Sequence, residues 1–471
     1  MSDNKGLEAS TGKTTLSQHD LAKALRLQSY ATRKHSDIEW LGEIPAHWNV
    51  APVYARYEVA LGKMLDAKRV TGDFSGSYLR NIDVQWDAVN TEGLPEMDFA
   101  PSERDRYLLR PGDLLVCEGG EVGRTAIWRG EMAECFYQKA IHRVRPRSEK
   151  ETPRFFYYLM YTLAKKGVFV AGGNPNTIDH LTAVQLRHCR VPFAPPSEQR
   201  TIAGFLDRET ARIDGLVAKK ERLIELLQEK RAALITQAVT RGLDPTVAMK
   251  DSGVEWLGQV PADWNVLVAR RLIDHIEQGW SPVAEDREAT IDEWGVIKLS
   301  AVNRGRFVAV EHKALPADLA ADTRYEIRDG DFLLTRANTP ALVGDVCTVQ
   351  NPRPGLMLCD LVYRLQLRAN RVAPRYLTYW FLSSAGRYQI EVEARGSSQS
   401  MVKVSQGLIR AWTVVLPPLA EQHAIVAILD EEIARLDGLI AKISKAIERL
   451  KELRTALISA AVTGKIDVRA A

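Results

Sequence analysis

The sequence predicts an α+β chain built as a tandem repeat, two α+β bodies separated by two long helices, and three observations carry that expectation. Glu39 to Val50 reads EWLGEIPAHWNV and Glu255 to Val266 reads EWLGQVPADWNV, identical at nine of twelve positions at an offset of 255 − 39 = 216. Pro195 opens PPSEQRTIAGFLDRETARIDGLVAKK and Pro417 opens PPLAEQHAIVAILDEEIARLDGLIAKI; from Glu198 and Glu421 the offset is 421 − 198 = 223. LITQAVTRGLD from Leu234 is echoed by LISAAVTGKID from Leu457. The boundaries drawn from these repeats are an N-terminal extension over 1–36, a first body over 37–195, a central long helix over 196–245, a second body over 246–417 and a C-terminal long helix over 418–471.

The first residues add little. GLEASTGKTT resembles a phosphate-binding loop, but the glycine that G-x-x-x-x-G-K-[ST] requires falls on Leu7, and no apolar strand precedes it. A disordered lead-in is expected, with one short helix carrying Leu21 and Leu25 after a Ser17 cap. In each body, β-rich runs lie among Gly and Pro turns: Tyr78 to Val84, Asp113 to Cys117 and Arg124 to Trp128, then Val296 to Val302, Asp331 to Thr335 and Gly344 to Val349. Helices are expected over Pro153 to Lys166 and Pro374 to Arg387. YLLRPGDLLV from Tyr107 and YEIRDGDFLL from Tyr325 show that the bodies share a frame; between such anchors they diverge. Trp40, Trp48, Trp256 and Trp264 read as packing anchors, because their motif recurs intact while the loops vary.

The long helices are read from their period. Ile202, Leu206, Ile213, Leu216, Leu223, Leu227 and Leu234 alternate 4 and 3 spacings, with Glu209, Lys220 and Lys230 completing the register. Adding 223 gives Ile425, Leu429, Leu436, Leu439, Ala446, Leu450 and Leu457, with Ile443 and Leu453 in place of the two lysines. Such a seam wants a partner helix, and the nearest is the other copy. The paired prolines stop what precedes, and Glu198 and Glu421 sit in a first turn, where a helix favours negative charge.

The 471 residues allow about three domains at about 150 residues each. With 45% hydrophobic and 26% charged residues the chain is an ordinary globular one. Lys plus Arg is 63 and Asp plus Glu is 60, so a net charge of +3 names no partner. The distribution says more. Arg56 to Glu121 holds 8 basic and 13 acidic residues, Arg124 to Arg190 12 and 5; Arg270 to Asp331 holds 9 and 13, Arg336 to Arg410 10 and 4. Each body has a basic half suited to a phosphate backbone, with solvated surface charge as the plainer alternative. Five scattered cysteines argue against a disulfide framework, and the absence of any 18-residue apolar run or apolar leader points to the cytoplasm and no membrane.

Catalysis on this chain is not expected. HExxH, a clustered His and Cys ligand set, a Gly-rich dinucleotide or adenosyl loop, and the Asn/Asp-Pro-Pro-aromatic motif of adenine methyltransferases are all missing from the sequence. A self-sufficient methyltransferase or nuclease, and a coiled-coil protein adaptor, are the competing classes; the adaptor leaves the basic half-bodies unexplained.

Taken in order, the two EWLG-x-x-P-x-x-W motifs, two bodies and two Pro-Pro…Glu-Gln helices ending in LI-x-x-A-V-T resemble the specificity subunit of a type I restriction-modification system, over roughly Lys34 to Val468. The resemblance implies two target-recognition domains at opposite ends of an antiparallel helix pair, each reading one half of a bipartite site on double-stranded DNA. It implies two modification (methyltransferase) subunits as partners on the helices, with restriction subunits beyond them. S-adenosylmethionine would belong to the modification subunits and ATP/Mg to the restriction subunit, leaving no cofactor on this chain. Two copies about an approximate two-fold axis would match the pseudo-dyad of duplex DNA, and bodies that differ would read an asymmetric, split target.

Candidate DNA-binding residues follow the same frame. Arg336, Asn338 and Thr339 of TRANTPALVG match Glu118, Gly119, Gly120 and Arg124 of CEGGEVGR. Arg and Asn suit guanine and adenine, Glu accepts from cytosine N4, and Gly lets backbone approach phosphate. A second pair of loops adds Asn174 and Asn176, and Arg395, Ser397 and Gln399. For all of them a turn with a solvated side chain is the alternative.

Overall fold

The computed structural model describes residues 28–65, 71–170, 180–398 and 401–469. The stretch that resembles a phosphate loop and the short helix expected after Ser17 lie outside the described residues. Within them the helices are Pro101–Tyr107 (α1), Pro153–Lys165 (α2), Ala183–His188 (α3), Pro196–Arg241 (α4), Pro374–Leu382 (α5), Ser384–Glu393 (α6), Gln406–Ala411 (α7) and Leu419–Val462 (α8). The chain divides into two compact units, Met1–Lys220 with Lys445–Ala471, and Glu221–Ser444. Each unit thus holds one body and a stretch of both long helices.

The first unit is built on a four-stranded antiparallel sheet in the order 125–127, 114–117, 141–146, 57–61. A second sheet sets 136–137 parallel to 75–79, with 96–98 antiparallel on its other side. Between them, Leu79, Phe99, Leu115, Trp128 and Phe136 form a core without solvent contact. α2 carries an apolar run, Phe155, Phe156, Leu159, Met160 and Leu163, all buried, with Phe156 stacked on Tyr57 at 4.2 Å between centroids. Strand 49–52 leaves the opening motif and pairs with 190–193, so strands near the two ends of the body close on each other before the helix begins.

The second unit repeats this plan. Its four-stranded sheet runs 273–278, 362–367, 332–335, 346–348, its three-stranded sheet sets 295–297 parallel to 356–357, and 265–268 pairs with 413–416. A further three-stranded sheet joins 337–338, 401–403 and 395–398.

The Glu-Gln pairs owe their recurrence to a buried amide. Gln199 Nε2 donates to Ala194 O at 3.0 Å while its Oε1 accepts from the N–H of Thr152, the N-cap of α2, at 3.0 Å. Gln422 does the same: Nε2 donates to Pro417 O and to Arg371 O, each at 2.9 Å, and Oε1 accepts from Ala373, the N-cap of α5, at 2.8 Å. One side chain satisfies the start of a body helix and the segment that opens a long helix, so the pairing of Pro-Pro with Gln is a joint.

Three sequence expectations need correction. The single helix over Pro374 to Arg387 is two, because Ser383 ends α5 and caps α6, its hydroxyl accepting from Gly386 N at 3.1 Å. A side chain at Gly386 would meet Trp380 O, so the tight turn needs glycine there. The heptad seam is not buried throughout: Leu216, Leu223 and Leu439 are exposed, while Ile213 and Val217, and Ile433 and Leu436, are buried. A straight helix drifts about 20° per heptad from a 3.5-residue repeat, and each body covers the face of its own stretch of helix. Finally, Trp48 and Trp264 are packing anchors at 0% and 1% exposure, but Trp40 and Trp256 are half-buried.

Candidate nucleic-acid interface

In the first body the sheet strand Leu114–Cys117 delivers Glu118, Gly119 and Gly120 into a turn that returns along Thr125–Ile127. The turn is closed by Gly123 N donating to Cys117 O at 3.0 Å and Arg124 N to Glu121 O at 3.0 Å, with Gly120 at φ +74°. Asn81 holds its near side, donating from Nδ2 to Gly119 O at 2.9 Å. Glu118 O accepts from Leu181 N at 2.7 Å, and His180 stands over Gly119. His142, under this loop, is pushed below its ordinary pKa by burial and bonds Leu181 O through Nε2 at 2.5 Å. Burial resists ionisation of Glu121, but the carboxyl is held below its usual value, with the Lys165 ammonium hydrogen-bonded to it at 2.8 Å and the charge of Arg124 nearby.

Arg124 is turned inward. Its Nη2 donates to Asn81 O at 2.9 Å, so the guanidinium braces the turn that presents Glu118, Gly119 and Gly120. Asn174 and Asn176 lie outside the described residues.

In the second body Arg336 follows the buried strand Phe332–Thr335, and the chain passes into the short strand Ala337–Asn338. The Arg336 guanidinium lies 6.0 Å from the centre of the Tyr363 ring, inside cation–π range. With Glu393, Lys403, Val404, Ser405 and Leu408 it lines an open recess of about 590 Å³. The Asn338 side-chain oxygen accepts from Thr339 N at 2.8 Å, so its capacity toward a ligand rests on the donors of its amide nitrogen, and Thr339 is exposed. Beneath, Asp345 is raised from its ordinary pKa by burial, against backbone N–H bonds from Arg304 and Val346.

The two loops that the sequence treats separately are joined here. Strand 401–403 pairs with 337–338 on one side and with 395–398 on the other, Lys403 standing opposite both Ala337 and Arg395. Asn338, Arg395 and Ser397 therefore belong to one small sheet, on the two strands that flank 401–403, with Arg336 joined to it where its carbonyl accepts from Val404 N at 2.9 Å, while Gln399 lies outside the described residues. Sequence reasoning missed Lys403, Tyr363 and Asn81. The alternation of Met401, Val402, Lys403 and Val404 was a strand signal for the first; nothing local marked the other two.

Among the described residues no group of three or more His, Cys, Asp and Glu side chains is placed to hold a metal ion, and no helix is long and apolar enough to cross a membrane. The five cysteines are unpaired thiols.

Duplicated α+β bodies mounted on long helices define a scaffold that carries two modules of one frame and unlike loops. Residues 90–226 match the profile of the type I restriction modification DNA specificity domain. The StySPI specificity subunit of Salmonella potsdam is 22% identical over 442 residues, 91% of each chain. The EcoEI specificity subunit of Escherichia coli is 25% identical over 241 residues, 51% of this chain and 40% of that one. A solved structure from work on complex assembly and conformational transition of the type I R-M system has the same fold, with a TM-score of 0.66 at 14% identity over 89% of this chain and 98% of its own. Over most of its length the chain is similar to specificity subunits of type I restriction-modification systems, and residues 90–226 match their DNA specificity domain.

Proposed function

We propose that this chain is the non-catalytic DNA-recognition subunit of a type I complex, each body reading one half of a bipartite, asymmetric site. The observation that carries the reading is a shared frame with unlike edges: the same sheet order in both units ends in Glu-Gly-Gly in one body and in Arg-Ala-Asn-Thr in the other. Direct readout needs that combination, because a constant frame sets register while differing side chains specify bases.

The long helices are assigned three tasks: pairing as an antiparallel coiled coil about a pseudo-two-fold axis, setting the distance between half-sites, and seating two modification subunits. Their lengths support the second, since 46 residues span about 69 Å at 1.5 Å per residue. Exposed leucines such as Leu216 in the first unit and Leu223 and Leu226 in the second support the third. S-adenosylmethionine, ATP and magnesium are assigned to the partner subunits, and the complex to the cytoplasm.

The test is a map of methylated adenines in a host carrying this chain with its modification partner. A split, asymmetric motif that disappears when this chain is omitted supports the reading. Methylation by the chain alone, or a contiguous palindromic motif, overturns it.

A further inference from the structure

Each body is fastened to its long helix by the same arginine fork. In the first unit Arg154, on the first turn of α2, donates from Nε to Asp207 Oδ1 of α4 at 2.5 Å and from Nη2 to the Tyr158 hydroxyl at 3.1 Å. Tyr158 donates in turn to the same Asp207 oxygen at 2.7 Å. Nη1 is ion-paired with Asp87 at 2.5 Å, at the tip of the hairpin that pairs 84–85 with 88–89.

The second unit repeats the arrangement. Arg375, on the first turn of α5, donates from Nε to Asp430 Oδ1 of α8 at 2.9 Å and from Nη2 to the Tyr379 hydroxyl at 3.1 Å; Tyr379 donates to Asp430. Nη1 donates to Gly305 O at 2.8 Å, at the tip of the hairpin that pairs 302–303 with 306–307. The hairpin tips are unlike in sequence, Gln85-Trp86-Asp87-Ala88 against Asn303-Arg304-Gly305-Arg306, and one reaches the fork with a carboxylate, the other with a carbonyl. The three-way knot of Arg, Tyr and Asp is the same in both units despite that difference.

Its position says what the fastening does. Gln199 joins body to helix near the start of α4, and Asp207 does so 207 − 199 = 8 residues on, about 12 Å along the axis. Gln422 and Asp430 are also 8 residues apart, 430 − 422. Two polar attachments at that separation, added to the apolar packing that already seats Ile425, Leu429 and Ile433 in the second body's core, sharpen the tilt as well as the location. Each base pair added between half-sites moves a groove by about 3.4 Å and turns it by about 34°, so a body of fixed tilt accepts a narrow range of spacers. The fork is suited to this duty: a planar guanidinium bonded in two directions resists rotation, which a lysine ammonium does not.

We propose that Arg154 with Tyr158 and Asp207, and Arg375 with Tyr379 and Asp430, are positioning residues that set spacer-length selectivity without touching DNA. The inference rests on the proposal that each body reads one half-site. The experiment uses the full chain assembled with its modification subunits, on duplexes in which the mapped half-sites are separated by spacers varied one base pair at a time. For Arg154→Lys and Arg375→Lys, preference for the native spacer over its neighbours should fall by about fivefold or more, since small misplacements of reacting groups cost large factors in rate. Penalties for single base changes inside either half-site should stay within about twofold of the wild type, because base contacts are untouched. Tyr158→Phe, which spares the Arg154–Asp207 bond, should give a smaller broadening in the same direction and serves where a lysine variant fails to fold.

A loss of activity that is equal at every spacer, or altered base preference with an unaltered spacer profile, overturns the assignment. A second measurement separates this outcome from failure of the functional reading: the distance distribution between spin labels at Lys150 and Arg208, both in the first unit. It should broaden in Arg154→Lys whatever the DNA result. An unchanged distribution overturns the knot, whereas a wild-type complex that methylates without needing two half-sites overturns only the reading of the bodies.

Discussion

The indole N–H of Trp264 donates to the Glu421 carboxylate at 3.0 Å, a bond that its repeat counterpart does not make. Trp48 Nε1 is buried with no hydrogen-bond partner among the described residues, and Glu198 instead takes the Tyr30 hydroxyl and lies 2.8 Å from His47 Nε2. Tyr30 comes from the N-terminal extension, so that segment supplies the first unit with a group the second lacks. A hydrogen bond to a charged acceptor contributes about 1.5–3 kcal/mol. Trp264→Phe should therefore destabilise the second unit by about 2 kcal/mol more than Trp48→Phe destabilises the first, read from amide exchange of α5 and α2. Equal losses would show that the Glu421 bond contributes nothing.

Gln422→Leu leaves Ala373 N, Arg371 O and Pro417 O without their partner inside a closed joint. At about 1–3 kcal/mol for each buried unsatisfied group, partly relieved by water, a loss of about 3 kcal/mol is expected in urea unfolding of the second unit. Gln422→Glu keeps the acceptor but not the donor and should fall between the two.

Lys465 gives a signed pH dependence. Its ammonium donates to Leu41 O at 2.9 Å and Glu43 O at 2.5 Å, yet burial, then the charges of Arg33 and Lys166, push it down to about 8 against some help from Glu43. A lysine lowered in the folded state releases its proton before the unfolded chain does. Between pH 8 and its ordinary value of 10.5 the unfolded chain holds more protons, so this group adds stability as pH rises. The stability difference between wild type and Lys465→Met, measured by denaturation at pH 7 and pH 10, should shift in favour of the wild type at the higher pH; a flat difference would rule the shift out.

At the candidate interface, Arg336→Ala should relax preference at one base position by about 1–3 kcal/mol. Lys403→Ala should weaken binding of all sequences alike and reduce the salt slope by about one. Titrations at several salt concentrations on the assembled complex distinguish these outcomes. Arg124→Ala should act through folding of the 118–124 turn, lowering binding in proportion to lost structure.

Exchanging Leu267 to Leu416 for the body of a relative should change one half-site only. Strands 265–268 and 413–416 pair with each other, so the exchanged segment ends inside its own closing ladder and carries its edge with it. A methylation map in which both half-sites changed would refute independent bodies.

Much of this was legible in the sequence because duplication prints every structural residue twice. Trp48 and Trp264, Gln199 and Gln422, and the strands from Leu114 and Phe332 all stood out as matched pairs. What the pairing hid was function by partner. Arg124 has the side chain of a base reader, and only the carbonyl of Asn81, 43 residues earlier, shows that its guanidinium is committed. The knot escaped for another reason: its Arg, Tyr and Asp recur as letters in both halves, but the Asp lies about 50 residues from the other two in sequence and nothing local shows that they meet, while the hairpin contact is made by Asp87 in one half and Gly305 in the other. The seam failed at Leu216 and Leu439 because a heptad names which residues share a stripe, and says nothing of what lies against it.

The last turn of α8 and the tail beyond it complete the first unit, where Asp467 N donates to Gln28 O at 2.8 Å and Lys465 reaches Leu41 and Glu43. That pairing sets the calendar of synthesis. Domains normally mature in the order in which the ribosome makes them, N-terminal first. Here the first body emerges early and must wait for residues 445 onward, while the whole of 221–444 is made in between and can close before it. The earliest-made half of the protein is the last to be finished, and during that wait Pro45 and Trp48, against which Gly464 packs, depend on restraint by other means, so this half is where a nascent chain would most need a chaperone's hold.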